Sequence, residues 1–354
     1  MQKQQVKKVK TPSGKLYSVL VCFSIILIGF MGCNPKPGTE KTRNDSGNQT
    51  TEARKTDLTK IKIGYCTPSL NAPFYVVLSQ CIQKYSEESG MKFVSADGQD
   101  DIIKQITSIE DLIAAGVNVL VLNPLDHKAL VPAVNAAVKS GIPVFIVDSY
   151  IDPAANYITS VQADNEGNGE LIGEWIVNKF GRTKVKAALI SGCQGNPIGR
   201  EKRLGFVRGF SETQLMTQGN ADLTIVSQGW GNWTNNGGLK AMEDILIAFP
   251  DINLLVAEND AMGMGALKAI NESGKANNIT VVGFDGQKEA YELIKQGKFG
   301  ATAINSPKEL GRLVIEAVAK YLNGERQIEK VIYAPAGIVT KDNVDKFYDP
   351  NAIF

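Results

Sequence analysis

A pair of doubly wound α/β domains is the fold that this 354-residue sequence predicts, and three observations predict it. Apolar, β-branched runs recur along the chain. Most are continuous rather than alternating, the pattern of parallel strands covered on both faces by helices. The longer stretches between them, such as KQITSIEDLIAAG and RLVIEAVAKYLNG, space their apolar residues helically and end in Gly. The runs number about nine, more than one Rossmann-like sheet holds comfortably, so two sheets of similar size are expected.

The N-terminal end follows other rules. Residues 1–32 carry five lysines (Lys3, Lys7, Lys8, Lys10 and Lys15) and no Asp or Glu, so a chain of net charge +1 becomes −4 without them. A mildly acidic remainder argues against a nucleic-acid partner. The run 16–31, LYSVLVCFSIILIGFM, is short for a membrane span and suits the apolar centre of a signal peptide. It ends in Gly32-Cys33. FMGC resembles a bacterial lipoprotein box, with Phe30 where an aliphatic residue is usual. Residues 1–33 are therefore expected to be a lipoprotein signal peptide with Cys33 lipidated, the alternative being an uncleaved signal anchor. Both place the remainder outside the cytoplasmic membrane, in a periplasm or at a bacterial cell surface. Residues 34–58 are polar, with Pro and Gly and almost no apolar side chains. They cannot bury a core and read as a disordered tether.

Five cysteines in a chain of this size make no disulfide framework. Cys66, Cys81 and Cys193 fall in the folded part without a CxxC pair and are expected as buried free thiols. His127 is the only histidine, which weakens any metal site or triad that needs imidazole.

The strands are expected at 61–66, 92–96, 117–122, 143–147, 185–190, 223–227, 254–257, 280–284 and 301–304. The stretch YITSVQADN, 157–165, is the expected passage from one sheet to the other. In open parallel sheets ligands bind beyond the carboxyl ends of the strands, so the residues that follow each strand are the candidates. They are Asn71, Phe74 and Tyr75 after the first, Asn123 after the third, Asp148 and Ser149 after the fourth, Asn259 and Asp260 after the seventh, Asp285 after the eighth and Asn305 after the ninth. The loop GWGNW adds Trp230 and Trp233, and GREKR adds Arg200, Lys202 and Arg203. Carboxylates, carboxamides and a cation can saturate hydroxyls that both donate and accept. Aromatic rings cover apolar C–H faces. A sugar needs both.

The segments SLNAPFYVVL, VLNPLD, IPVFIVDS, ITSVQADNEGNGELIGEWI, FPDINLLVAENDAMGMGALKAI and VVGFDG resemble the ribose- and galactose-type periplasmic binding proteins, the solute receptors of ABC sugar importers. The similarity runs from about residue 60 to 340. AENDAMGMGAL followed by VVGFDG is the most specific part, and it is shared with the effector domains of lactose-repressor-type regulators. The signal sequence argues against a repressor. The resemblance implies the periplasmic binding protein type I fold: two lobes joined by a three-segment hinge that close on ligand. One lobe would take 59–163 and 306–334, the other 164–305 and 335–354. It also implies ligand-binding roles. Phe74 and Tyr75 would stack on one sugar face and Trp233 on the other, with Phe284 as a wall. Asn71, Asp148, Ser149, Asn259, Asp285 and Asn305 would surround the hydroxyls, and Lys202 or Arg200 would supply the cation. Ribose receptors commonly have Asn where this chain has Ala72, Arg where it has Ser149, an Arg-rich cluster where it has Lys202, and Gln where it has Asn305. The sugar is left open among pentoses, hexoses and polyols.

The expected function is therefore a lipid-anchored, monomeric receptor that delivers a monosaccharide to an ABC permease, with no cofactor and no catalytic residue. A sensory receptor of the same fold, signalling to a chemoreceptor or histidine kinase, is the alternative. A glycosidase would need two carboxylates flanking a bond, and Asp148 and Asp285 are the pair that a cleft could bring together. The run DNEGNGE has the look of a calcium loop but lacks full EF-hand spacing, and no metal is expected.

Overall fold

The computed structural model describes residues 56–354. The signal segment, Cys33 and residues 34–55 of the expected tether lie outside the described residues. Residues 56–58 of that tether are packed instead: the Thr56 hydroxyl donates to the Leu322 carbonyl at 2.5 Å, and Leu58 leans on the first apolar core. No helix among the described residues is long and apolar enough to cross a membrane.

Twelve strands and nine α-helices are present among the described residues. In chain order the helices are α1 (Pro73–Glu88), α2 (Ile102–Ala114), α3 (Val131–Lys139), α4 (Asn165–Phe180), α5 (Pro197–Gln218), α6 (Asn235–Ala248), α7 (Asp260–Glu272), α8 (Lys288–Lys295) and α9 (Pro307–Leu322). The strands β1 (Lys62–Thr67), β2 (Lys92–Asp97), β3 (Val119–Leu122), β4 (Val144–Val147) and β5 (Ser160–Ala163) form one sheet with β11 (Val331–Ala334), in the order β11-β5-β4-β3-β1-β2. The strands β6 (Val185–Ser191), β7 (Leu223–Trp230), β8 (Leu254–Ala257), β9 (Thr280–Asp285) and β10 (Ala301–Ile304) form the other with β12 (Ile338–Thr340), in the order β12-β10-β9-β8-β6-β7. The second five strands thus repeat the order of the first five. All pairs are parallel except β10 with β12.

The continuous apolar runs have the expected cause. In β3, Val119 and Val121 enter the core under α1 and α9, while Leu120 and Leu122 enter the core under α2 and α3. In β6, Ala187 and Leu189 face α4 and α5, while Ala188 and Ile190 face α6 and α7. Period-two alternation therefore feeds two cores per sheet, and both parities must be apolar.

Three strands lie outside the nine read from the sequence. In β5 two of four residues are polar, yet all are buried. Ser160 donates to the Ser149 carbonyl and Gln162 donates to Ser160 Oγ, so tertiary hydrogen bonds replace the apolar signal. The other two, β11 and β12, are edge strands of four and three residues, less buried than the four-residue inner strands, and in β11 only Ala334 is buried.

The chain passes between the sheets three times: after β5, after β10, and between β11 and β12. The buried Asn168, in the second turn of α4, ties the passages together. Its Nδ2 donates to the Ile304 carbonyl at 2.8 Å and its Oδ1 accepts from the Gly337 N–H at 3.0 Å. Nearby, α4 and α5 meet backbone to backbone. A Cβ at Gly173 would sit 2.3 Å from the Phe210 nitrogen, and one at Gly205 would sit 2.1 Å from the Glu166 carbonyl oxygen. This contact holds α5, and with it Lys202, against the second sheet.

Candidate binding site between the two sheets

The carboxyl ends of both sheets face one cavity of about 450 Å³. Of the residues expected to bind ligand, Asn71, Phe74, Tyr75, Asp148, Ser149, Lys202, Trp233, Asn259, Asp285 and Asn305 line it. Because the two sheets share one strand order, Asp148 beyond β4 and Asp285 at the end of β9 occupy matching positions. Both are in the left-handed region, with φ of 64° and 111°. Only short polar side chains and Gly tolerate that region readily, and such strain concentrates at functional sites.

Each aspartate has its own partners. Asp148 accepts from Asn123 Nδ2 at 3.0 Å and from Asn305 Nδ2 at 3.5 Å. Asp285 Oδ1 lies 3.4 Å from Lys202 Nζ, which also donates to the Glu258 carbonyl at 2.9 Å. Lys202 is only 3% exposed, and its ammonium lies 5.5 Å from the Trp233 ring and 5.1 Å from the Phe284 ring. Burial and the neighbouring Asp148 charge push the Asp285 carboxyl up, and Lys202 holds it back, leaving it at about 6. Burial likewise raises Asp148, against the hydrogen bond from Asn123. Asn305 stands on the second passage between the sheets, and its Oδ1 is a buried acceptor with no hydrogen-bond partner.

The aromatic walls are built by local backbone choices. Pro73 opens α1 and sets Phe74 and Tyr75 in its first turn, with their rings edge to face at 6.0 Å. Opposite them, Trp233 has a φ of 61° and lies on Gly192, where a Cβ would come within 2.0 Å of the indole. Asn259 caps α7 through Met262 N and donates to the Trp233 carbonyl at 3.0 Å. Its side chain fixes the tryptophan loop while lining the cavity. Below, the buried Glu258 pairs with Arg203 and accepts from the Gly192 N–H at 2.8 Å, which orders the loop after β6.

Of the residues assigned ligand-binding roles, Arg200 and Phe284 do not line the cavity. Arg200 is exposed on α5: helical residues two positions apart differ by about 200° around the axis, so α5 cannot turn both Arg200 and Lys202 inward. Phe284 is buried between β9 and α5, because it precedes Asp285 on a strand and points to the opposite face. It supports Lys202 from beneath. Trp230 is partly exposed, with Arg203 6.0 Å from its ring, and is no part of the lining. Asp260 is wholly buried, held by the Gly286 and Gln287 N–H groups and the Thr302 hydroxyl.

Other residues of the lining obey the same strand-end topology. Asn123 was visible as a strand-end residue and proves to be the partner of Asp148. Asp100, three residues beyond β2, lines the cavity and accepts from Ser69 Oγ at 2.8 Å and Asn71 Nδ2 at 3.0 Å. The strand-end rule finds it once it is applied to β2. Applied to β6 it finds Cys193 and Asn196, which also line the cavity. Cys193 is exposed, contrary to the expectation of a buried thiol, while Cys66 and Cys81 are buried. DNEGNGE forms the start of α4, where Asp164 caps the Gly167 N–H. Among the described residues no three His, Cys, Asp or Glu side chains are gathered as a metal would require.

Comparison with known proteins agrees with this geometry. Residues 63–326 match the model of the periplasmic binding protein domain. The ribose import binding protein RbsB of Bacillus subtilis (strain 168) is 35% identical over 328 residues, spanning 92% of this chain and 99% of that protein. An ABC transporter solute binding protein from Mycobacterium smegmatis, solved with bound glycerol, superposes with a TM-score of 0.75 at 33% identity, covering 82% of this chain and 98% of that one. An ABC transporter periplasmic solute binding protein from Actinobacillus succinogenes 130z, solved with bound D-allose, gives 0.74 at 27% identity, covering 81% and 100%. With its two like-ordered sheets, three passages and shared cavity, the chain belongs to the ribose- and galactose-type periplasmic sugar-binding proteins.

Proposed function

We propose that the protein is the extracytoplasmic receptor of an ABC importer and binds a monosaccharide or related polyol between its lobes by hinge closure. The observation that carries this reading is the pairing of Asp148 and Asp285, one from each sheet, on a single cavity. A hydroxyl-rich ligand bridges them and so favours the closed form. Asn305, on the passage between the sheets, presents its unpartnered Oδ1 to a hydroxyl donor. Phe74, Tyr75 and Trp233 cover the apolar faces of the ring. The relatives, named for ribose import or solved with D-allose or glycerol, support this class of ligand. Ala72 and Ser149 leave fewer donors on the first lobe than a ribose receptor commonly has, which argues against ribose itself and leaves another pentose, a hexose or a polyol open. On this reading the lobes are 59–163 with 306–334, and 164–305 with 335–354. Lipidated Cys33 and the tether hold the monomer beside its permease, raising its local concentration there.

The test is a thermal-shift panel on residues 56–354, which hold both sheets and all four apolar cores. Pentoses, hexoses, polyols, nucleosides and amino acids are compared after removal of co-purified ligand. A sugar at about a thousand times its Kd adds roughly 4 kcal/mol and raises the melting midpoint by several degrees. A shift with an amino acid or nucleoside alone would overturn the reading. Within the site, Arg200→Ala is expected to leave sugar affinity within about twofold of wild type by calorimetry, because its side chain is outside the cavity. Lys202 is the cation.

A further inference from the structure

The segment after Tyr348, DPNAIF, is expected at the end of the second lobe. The structure carries it back to the first. Tyr348 packs on the second lobe, where its hydroxyl and Glu292 Oε1 are 3.0 Å apart and the Lys295 ammonium lies 4.6 Å from its ring. A turn follows, with Ala352 N–H donating to the Asp349 carbonyl at 3.0 Å and Asn351 N–H to Asp349 Oδ1 at 2.9 Å. Lys288, the first residue of α8, donates to the Ala352 carbonyl at 2.9 Å. Two residues on, Phe354 packs edge to face on Phe74, with centroids 5.6 Å apart and planes at 79°. It joins the apolar cluster of the first sheet.

The two anchors are at the cleft itself. Phe74 is in the first turn of α1 and lines the cavity. Lys288 opens α8, three residues beyond Asp285. Were the cleft to open, these two helix starts would move apart, and a strap of six residues fastened at both ends would resist that.

We propose that Phe354 is a positioning residue for sugar binding: it braces Phe74 against the cavity and straps the two lobes together in the closed state. This rests on the receptor reading above. The strap acts on the closed form, so its loss speeds sugar release rather than slowing capture.

The experiment compares wild type, Phe354→Ala and Phe354→Tyr in the 56–354 protein. Sugar release is followed by stopped-flow tryptophan fluorescence, and lobe opening without ligand by small-angle X-ray scattering. Phe354→Ala is expected to release sugar about three- to tenfold faster, the range of one edge-to-face aromatic pair. Its association rate should stay near wild type, its ligand-free melting midpoint should fall by no more than a few degrees, and its ligand-free radius of gyration should rise. Phe354→Tyr, which keeps the ring, should restore both readouts. Release within twofold of wild type, together with superimposable scattering curves, would overturn the strap. If wild type itself binds no sugar in the panel, the receptor reading fails and the scattering comparison alone decides the strap: expansion in Phe354→Ala supports it and superposition sinks it.

Discussion

Asp285→Ala is expected to lower sugar affinity at least about a hundredfold while the protein stays folded. The carboxylate is nearly buried, at the end of β9, and contacts the Lys202 ammonium. A hydrogen bond to a charged group contributes about 1.5–3 kcal/mol, so a carboxylate accepting from two sugar hydroxyls supplies on the order of 3 kcal/mol or more. Alanine leaves those hydroxyls without their acceptor and the ammonium without its carboxylate partner, with only the Glu258 carbonyl left to it. The fold is little affected because the residue faces the cavity, not a core. Asp285→Gly is the useful companion, since a φ of 111° strains alanine but not glycine. Both variants should fail in calorimetric titration, with glycine the more stable. Binding by either at wild-type affinity would remove Asp285 from the site.

The same residue sets a pH dependence of opposite sign for folding and for binding. Its carboxyl titrates at about 6 in the folded protein, above the ordinary 3.8. A raised carboxyl contributes stability that is complete below pH 3.8 and lost as pH rises through 6. If the sugar uses Asp285 as a double acceptor, binding needs the ionised form, and affinity should be flat above neutrality and fall as pH drops below 6. The sugar-induced rise in melting midpoint should therefore shrink on acidification, while the contribution of Asp285 to the ligand-free fold grows. An affinity unchanged from pH 7.5 to 5 would show that Asp285 binds in its protonated form.

The architecture was legible in the sequence because burial on both faces of a parallel sheet demands apolar residues at every position. Runs such as VLVL at β3 and LLVA at β8 can be little else. It failed where another force substituted for apolar burial: hydrogen bonds among Ser160, Gln162 and the Ser149 carbonyl in β5, and edge pairing in β11 and β12. Site residues were legible for a different reason. A parallel sheet exposes its carboxyl ends, so an Asp or Asn there is a candidate by topology alone. That rule names Asp148, Asp285 and Asn305 but not which side of a helix turns inward, which is why Arg200 and Lys202 could not be separated before α5 was placed. It is also silent about returns over long sequence distances. The packing of Phe354 on Phe74 depends on where the last turn leads the chain, which no local pattern encodes.

Lys202→Met separates the two roles of the cation, donor to the ligand and guardian of the carboxylates' charge. Met fills nearly the same slot between the Phe284 and Trp233 rings, so packing is largely kept. What is lost is the positive charge at a cavity that three carboxylates line, those of Asp100, Asp148 and Asp285. The Asp285 carboxyl, held at about 6 against burial and the Asp148 charge by Lys202, then moves higher still. At neutral pH part of the population is protonated before sugar arrives, and the Glu258 carbonyl has lost its donor. Affinity at pH 7 should fall by more than about tenfold, a loss of roughly 1.4 kcal/mol or more. The pH below which binding fades should rise above that of wild type. Titrations from pH 5.5 to 9 read both effects. A variant that is weak at every pH, with an unshifted profile, would make Lys202 a hydrogen-bond donor only. A profile that climbs back towards wild-type affinity at pH 9 would show that its main task is to keep Asp285 ionised, so that two opposed aspartates can both accept from one neutral ligand.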